Sequence, residues 1–180
     1  MAEIQSRSAL LSDVGHIHAI IEPYAAAGIL LPRSIPELCE NVRDFVVVQD
    51  GDRIVGCGAL HLYGRHLAVI RSIAVAPDRT GRGIGRALVE ALRKEADRHQ
   101  VTCVCLFTRT PSFFGHLGFE IAQREKLPDK IYKDCIGCPR LLDCDEIAMV
   151  RGLIPPSASD LRDPSVPFRW SLLNPDLAAL

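Results

Sequence analysis

The sequence predicts an α/β chain in which a mixed central sheet carries helices on both faces. Three features lead there. Two apolar stretches, 45–49 and 54–62, flank Asp50-Gly51, a pair that tolerates the positive φ of a tight antiparallel turn. The run 67–107 reads as strand, glycine loop, helix and strand, the pattern of a crossover between neighbouring strands. Ahead of both lie two segments with helical spacing.

In chain order, Asp13 to Tyr24 places Ile17, Ile20, Ile21 and Tyr24 on one helical face, with Ser12 or Asp13 as N-cap and a disturbance at Pro23. Ser34-Ile35-Pro36-Glu37 has the form of a capping box with proline in the first turn, and Leu38 and Val42 continue a short second helix. The hairpin follows, then a long strand over 67–75. Ala76-Pro77-Asp78 ends it, and beyond Gly81 to Gly85 the stripe Ile84, Ala87, Leu88, Ala91, Leu92 and Ala96 predicts an amphipathic helix. Val101 to Phe107 is nearly all apolar, as a strand covered on both faces would be. Pro111 to Leu117 predicts a short helix stopped by Gly118, Phe119 to Ile121 a further strand, and Glu146 to Val150 the last one.

Residues 1–151 are expected to form one domain. The 180-residue chain is long enough to bury one core, and 48% hydrophobic with 24% charged residues is ordinary globular composition. From 152 to 180 prolines crowd the chain and no apolar period survives, which predicts an extended appendage. Phe168, Trp170, Leu172 and Leu173 give it the means to dock on the body or on a second copy, as in a homodimer.

A formal net charge of −1 provides no general positive field, so nucleic acid and anionic membrane are not expected partners. No apolar run approaches the roughly 20 residues that span a bilayer, and the first residues lack a signal-peptide layout, so a cytoplasmic protein is expected. Seven cysteines, an odd number, then read as reduced thiols. Cys135-x-x-Cys138-x5-Cys144 has the short spacing of thiolate zinc ligands, but no fourth ligand is evident and no metal is assigned. Cys57, Cys103 and Cys105 fall in strand patterns as small core residues.

Thr80-Gly81-Arg82-Gly83-Ile84-Gly85-Arg86 stands between a strand and a helix, where backbone N–H groups and the helix dipole converge on an anion. The glycines let the main chain approach a diphosphate, and Arg79, Arg82 and Arg86 add positive charge. A dinucleotide fingerprint would instead follow the first strand of a doubly wound sheet, and a P-loop would end in Gly-Lys-Ser/Thr; neither is present.

With this loop in this order of elements, the sequence resembles the GNAT acetyltransferases over roughly residues 3 to 150. The resemblance implies the GNAT acyl-CoA N-acyltransferase fold, with acetyl-CoA as cosubstrate and its diphosphate on the loop 80–86. It implies that Ile73-Ala74-Val75 runs along the pantetheine arm and that Phe113-Phe114-Gly115-His116-Leu117-Gly118-Phe119 is the closing helix and final motif, with Phe114 against the coenzyme. The first loop position is usually Arg or Gln in the family and is Thr80 here.

Three stretches are similar to the short stand-alone N-acetylglutamate synthases, which open arginine biosynthesis: 28–34, 70–75, and 127–139 continuing through 144–149. Glutamate is therefore the expected acceptor, with Arg33, Arg71 and Lys130 as partners for its carboxylates. Ser72 and Thr110 match positions where relatives set small polar residues beside the reaction centre. Relatives also carry a glutamate where Val69 stands, and many GNAT enzymes a tyrosine where Phe113-Phe114 stands, so base and acid are open among water, His61, His66, His116 and Tyr132. Other readings of the same residues are another amino acid or small amine as acceptor, or a non-catalytic acetyl-CoA sensor.

Overall fold

A computed structural model of the chain describes residues 4–64, 66–127, 135, 138 and 140–154. One sheet holds β1 (Ile4–Ser8), β2 (Phe45–Asp50), β3 (Arg53–Leu62), β4 (Leu67–Val75), β5 (Cys103–Thr108), β6 (Glu120–Ile121) and β7 (Ile147–Gly152), in the order β1-β2-β3-β4-β5-β7-β6. All neighbours are antiparallel except β4 and β5. The helices are α1 (Val14–Ala26), α2 (Ile35–Glu40), α3 (Ile84–Arg98) and α4 (Pro111–Gly115).

The two-residue period of the strands separates the core into two layers. Along β2, Phe45 and Val47 face Ile17, Ile20 and Ile21 of α1 and Leu38 of α2, whereas Val46 and Val48 face Ile84, Leu88 and Leu92 of α3. Helices therefore cover both faces, as the patterning predicted. Gly56 and Gly58 of β3 make room for α3: a Cβ at Gly56 would stand 2.8 Å from Ile84, and one at Gly58 would stand 3.1 Å from Leu92. A third cluster, with Leu67, Val69, Cys103, Cys105, Ala148 and Val150, continues the α1 face across β4, β5 and β7.

Several local expectations change. Ile4–Ser8, which has no strand signature, pairs with β2 along its whole length. Asp13 takes the N-cap position of α1, one of the two expected, but its side chain makes no capping bond to the helix. A 3₁₀ turn, Leu11–Asp13, precedes the helix, and the buried Asp13 carboxylate accepts from the Leu10 amide at 2.7 Å and from Arg7 at 2.6 and 2.9 Å. Pro23 sits inside α1, which runs on to Ala26. Ser34 caps α2 as expected, accepting from the Glu37 amide at 3.3 Å. The reading of 152–180 as an appendage falls almost wholly outside the described residues.

The feature that makes a site is a parting of strands. β4 and β5 pair only at Leu67–Cys103, Ala68–Val104 and Val69–Cys105; beyond that β4 stays with β3, and β5 with β7. Where they part, the β3–β4 register slips by one residue between Cys57/Ala74 and Ala59/Arg71. Ser72 sits in this bulge with φ of 54°, left-handed backbone that an L-residue holds only at a cost. A bulge bends and twists its strand, which here turns the end of β4 away from β5.

Candidate active site

Two cavities meet in the gap between β4 and β5. One, of about 200 Å³, is lined by Ile73, Leu106, Thr108, Thr110, Phe113 and Phe114. The other, of about 130 Å³, adds Gly28, Leu31, Arg33, Arg124, Arg140 and three cysteines. Both are bounded by Ile29, Leu30, Ile70, Arg71, Ser72, Phe107, Arg109 and Glu146, so they form one passage through the split sheet. A reaction centre at the split is reachable from both faces.

The first cavity is mainly apolar. Phe114 is buried, with edge-on contacts to Phe113 at 4.9 Å and Phe119 at 5.9 Å between centroids. Thr110 precedes α4; its amide donates to Thr108 Oγ1 at 2.9 Å, and the two hydroxyls lie 3.1 Å apart. Ser72 lines both cavities, and its Oγ accepts from Arg33 Nε at 3.3 Å.

The second cavity is cationic. Arg33 is also paired with Glu37 across one turn of α2. Arg71 Nη2 lies 3.2 Å from His61 Nδ1 and 3.9 Å from the Asp44 carboxylate, itself 2.5 Å from His61 Nδ1. Arg109 donates to Asp145 at 2.7 Å and to the Ile29 carbonyl at 3.0 Å, tying the loop after α1 to the approach to β7. Arg140 also reaches Asp145, at 3.6 Å. Arg124 donates to the Glu146 carbonyl at 2.7 Å and lies 4.9 Å from the Phe107 ring centroid, a cation–π contact. These five guanidiniums face four carboxylates, Glu37, Asp44, Asp145 and Glu146, so the described site has one positive charge in excess.

The glycine loop has the geometry of an anion cradle. Gly81 and Gly83 have φ of 76° and 79°, and an added Cβ at either would meet nothing within 4 Å. Gly83 is the N-cap of α3, so the first amides of a 15-residue helix open at the exposed loop. Thr80, Arg82 and Arg86 are exposed beside it, with Arg86 3.9 Å from Glu90. Ile84 is buried in the core, and a Cβ added at Gly85 would stand 3.2 Å from the Phe113 ring, so these two offer the loop backbone alone. Arg79 differs from expectation: it pairs with Asp50 at 2.5 Å and Asp78 at 3.6 Å and lends the loop little charge.

Of the expected site residues, Arg33, Arg71, Ser72, Ile73, Thr110 and Phe114 converge on the passage. Ala74 and Val75 continue β4 toward the loop without lining either cavity, and Val75 accepts from the Tyr24 hydroxyl at 2.5 Å. Lys130 and Tyr132 lie outside the described residues. His61, His66 and His116 line neither cavity. Arg109, Arg124, Arg140 and Glu146 were not foreseen. The signals near them were the family resemblance of 144–149, which contains Glu146, and the cysteine spacing: Cys135, Cys138 and Cys144 all line the cationic cavity. Among the described residues, no group of three or more His, Cys, Asp or Glu is placed to hold a metal.

Burial in β3 and β5 pushes the Cys57 thiol up to about 12 and Cys103 up to about 11, so both stay protonated. No helix among the described residues is long and apolar enough to cross a membrane.

A split sheet, a glycine loop opening onto a helix N-terminus and a passage joining the two faces define an acyltransferase of the acyl-CoA type. Residues 41–121 match the acetyltransferase (GNAT) domain model. An uncharacterized N-acetyltransferase of Chlorobaculum tepidum is 40% identical over 147 residues, 82% of this chain and 95% of that protein. The chain belongs to the GNAT acetyltransferase family. The amino-acid acetyltransferase of Mycobacterium tuberculosis is 40% identical over 116 residues, 63% of this chain and 66% of that one. N-acetylglutamate synthase from Neisseria gonorrhoeae, solved with coenzyme A and N-acetyl-glutamate, superposes with a TM-score of 0.76 at 27% identity, covering 85% of this chain. That match takes in only 36% of the gonococcal protein.

Proposed function

We propose that the chain transfers the acetyl group of acetyl-CoA to the α-amino group of L-glutamate, the opening acetylation of arginine biosynthesis, in the cytoplasm. The observation that carries this is the cavity lined by five arginines and joined to an apolar slot through the split between β4 and β5. Glutamate at neutral pH bears two carboxylates and one ammonium, a net charge that balances the single positive excess of the described site. Guanidinium forks suit carboxylates geometrically. The coenzyme enters from the other face, its diphosphate on the amides of 81–85 and its thioester reaching the split between Ile73 and Phe114. Substitution of the thioester carbonyl is then assisted by orientation and by N–H and hydroxyl donors, the roles assigned to Ser72 and Thr110, which line the cavities.

The gonococcal relative supports the glutamate reading by its name and its N-acetyl-glutamate ligand, and the mycobacterial one supports an amino-acid acceptor by its name; each is longer than the part it shares with this chain. The test is thiol release from acetyl-CoA with each of the twenty amino acids in competition. Glutamate is expected to dominate; preference for an acceptor with no side-chain carboxylate overturns the assignment, and tight coenzyme binding with no turnover for any amine favours a sensor.

A further inference from the structure

We infer that Glu146 receives the acceptor's ammonium group and takes its proton as the new amide bond forms. The inference rests on the amino-dicarboxylate reading above. Proton transfer needs a group at the reaction centre, yet the β4 residues that line the cavities, Ile70, Arg71, Ser72 and Ile73, bring no carboxylate, and the histidines line neither cavity. Among the described residues, Glu146 is the one carboxylate that lines either cavity, and it lines both.

The strand register explains its direction. In β7, Val150 and Ala148 pair with Cys105 and Phe107 on the α1 face, and Glu146, two residues before Ala148, continues that row toward the arginines. Its carbonyl is fixed by Arg124 at 2.7 Å, which holds the start of the strand at the cavity wall.

The groups that face Glu146 are Arg71 from β4, Arg33 from the loop before α2, Arg109 after β5, Arg124 after β6, and Arg140. The thiols of Cys135, Cys138 and Cys144 complete that wall. An amino dicarboxylate directs its two carboxylates to guanidiniums, which leaves its ammonium one anionic partner in the described lining. In the step itself the ammonium gives a proton to the Glu146 carboxylate, and the nitrogen lone pair forms the C–N bond at the thioester carbonyl. The C–S bond breaks and its electron pair leaves on sulfur; the nitrogen, still carrying one proton too many, passes that proton by way of solvent to the thiolate to give the free thiol, and Glu146 returns the first proton to water.

The test is kcat/KM for glutamate from pH 6 to pH 10 in Glu146→Gln and Glu146→Asp, with acetyl-CoA affinity measured by calorimetry. Glu146→Gln is expected to lose about 100-fold at pH 7, the lower range for general-base removal, and the deficit should shrink as pH rises and the amine deprotonates unaided. Coenzyme affinity should stay within about twofold, since the diphosphate cradle lies on another element. Glu146→Asp keeps a carboxylate and should fall between the two while retaining the wild-type pH profile.

A Glu146→Gln deficit that is equal at every pH, or absent, overturns the inference. If Glu146→Gln fails to fold, Glu146→Asp decides alone, and a pH-independent loss there has the same consequence. A wild-type enzyme that acetylates some other amine removes the glutamate assignment, and the same series run with that amine still decides the role of Glu146.

Discussion

Gly83 and Gly28 share a backbone state but stand in different surroundings, which makes them a matched pair. Gly83, at φ of 79°, opens α3 beside the loop amides; Gly28, at φ of 68°, sits in the wall of the cationic cavity. In both places a Cβ would meet nothing within 4 Å, so alanine costs backbone strain alone. That strain is roughly 1–2 kcal/mol, partly offset by about 0.4–1 kcal/mol from the stiffer unfolded chain. A net cost near 1 kcal/mol lowers Tm by about 2–4 °C at this size. The ligand effects should diverge. In Gly83→Ala the methyl group enters the space proposed for the diphosphate, and loss of one charge-assisted N–H bond, about 1.5–3 kcal/mol, should weaken acetyl-CoA roughly 10- to 100-fold. Gly28→Ala should leave acetyl-CoA untouched and raise the glutamate KM. Calorimetry and thermal denaturation on the two variants read all of this. A Gly83→Ala protein that loses the expected few degrees yet binds acetyl-CoA within about twofold of wild type refutes the cradle.

Two further outcomes follow from charge and burial. Hydrogen bonding from Arg7, ahead of the Leu10 amide, holds the Asp13 carboxyl below its usual value despite burial. A lowered folded value means that the stabilisation is present above the unfolded value near pH 4 and vanishes as pH falls through the folded one. The stability gap between wild type and Asp13→Asn, read from urea midpoints, should therefore be widest near neutrality and close in acid; a gap independent of pH contradicts the linkage. Thiol labelling at about pH 8 should spare Cys57 and Cys103, which stay protonated, and modify Cys39, Cys135, Cys138 and Cys144. Glutamate should slow labelling of the last three, which line its proposed cavity, and mass spectrometry of the labelled peptides assigns each site.

What the sequence disclosed was whatever a local period can encode. Ile84, Leu88, Leu92 and Ala96 recur with the helical turn and all are buried; Phe45 to Val48 alternate between two cores; Gly51 takes φ of 63° at the hairpin. Ile4–Ser8 reads Ile-Gln-Ser-Arg-Ser and is largely exposed, so its strand state comes from pairing with β2 and from the Arg7–Asp13 tie. The glycine loop was legible because consecutive residues build it. The cationic cavity was not, because Arg33, Arg71, Arg109, Arg124 and Arg140 come from five separate segments and each alone looks like a solvated charge. Arg33 and Arg71 were found through family resemblance, whereas the others depend on where the split sheet brings their loops.

The bulge that opens that split gives a last prediction, in which stability and activity move apart. Ser72 pays for φ of 54°, and its hydroxyl accepts from Arg33 at 3.3 Å. Ser72→Gly removes a strain of roughly 1 kcal/mol or more but adds a comparable entropy to the unfolded chain, so its stability should stay close to wild type. Ser72→Ala keeps the strain and loses the same hydroxyl, so it should be the less stable of the two. Both should raise the glutamate KM by about 3- to 10-fold through the loss of one hydrogen bond worth about 0.5–1.5 kcal/mol. If the alanine variant is as stable as the glycine one, Ser72 bears no strain and the bulge is not what turns β4 from β5. If the glycine variant alone loses activity, the side chain matters less than the stiffness of the strand it interrupts.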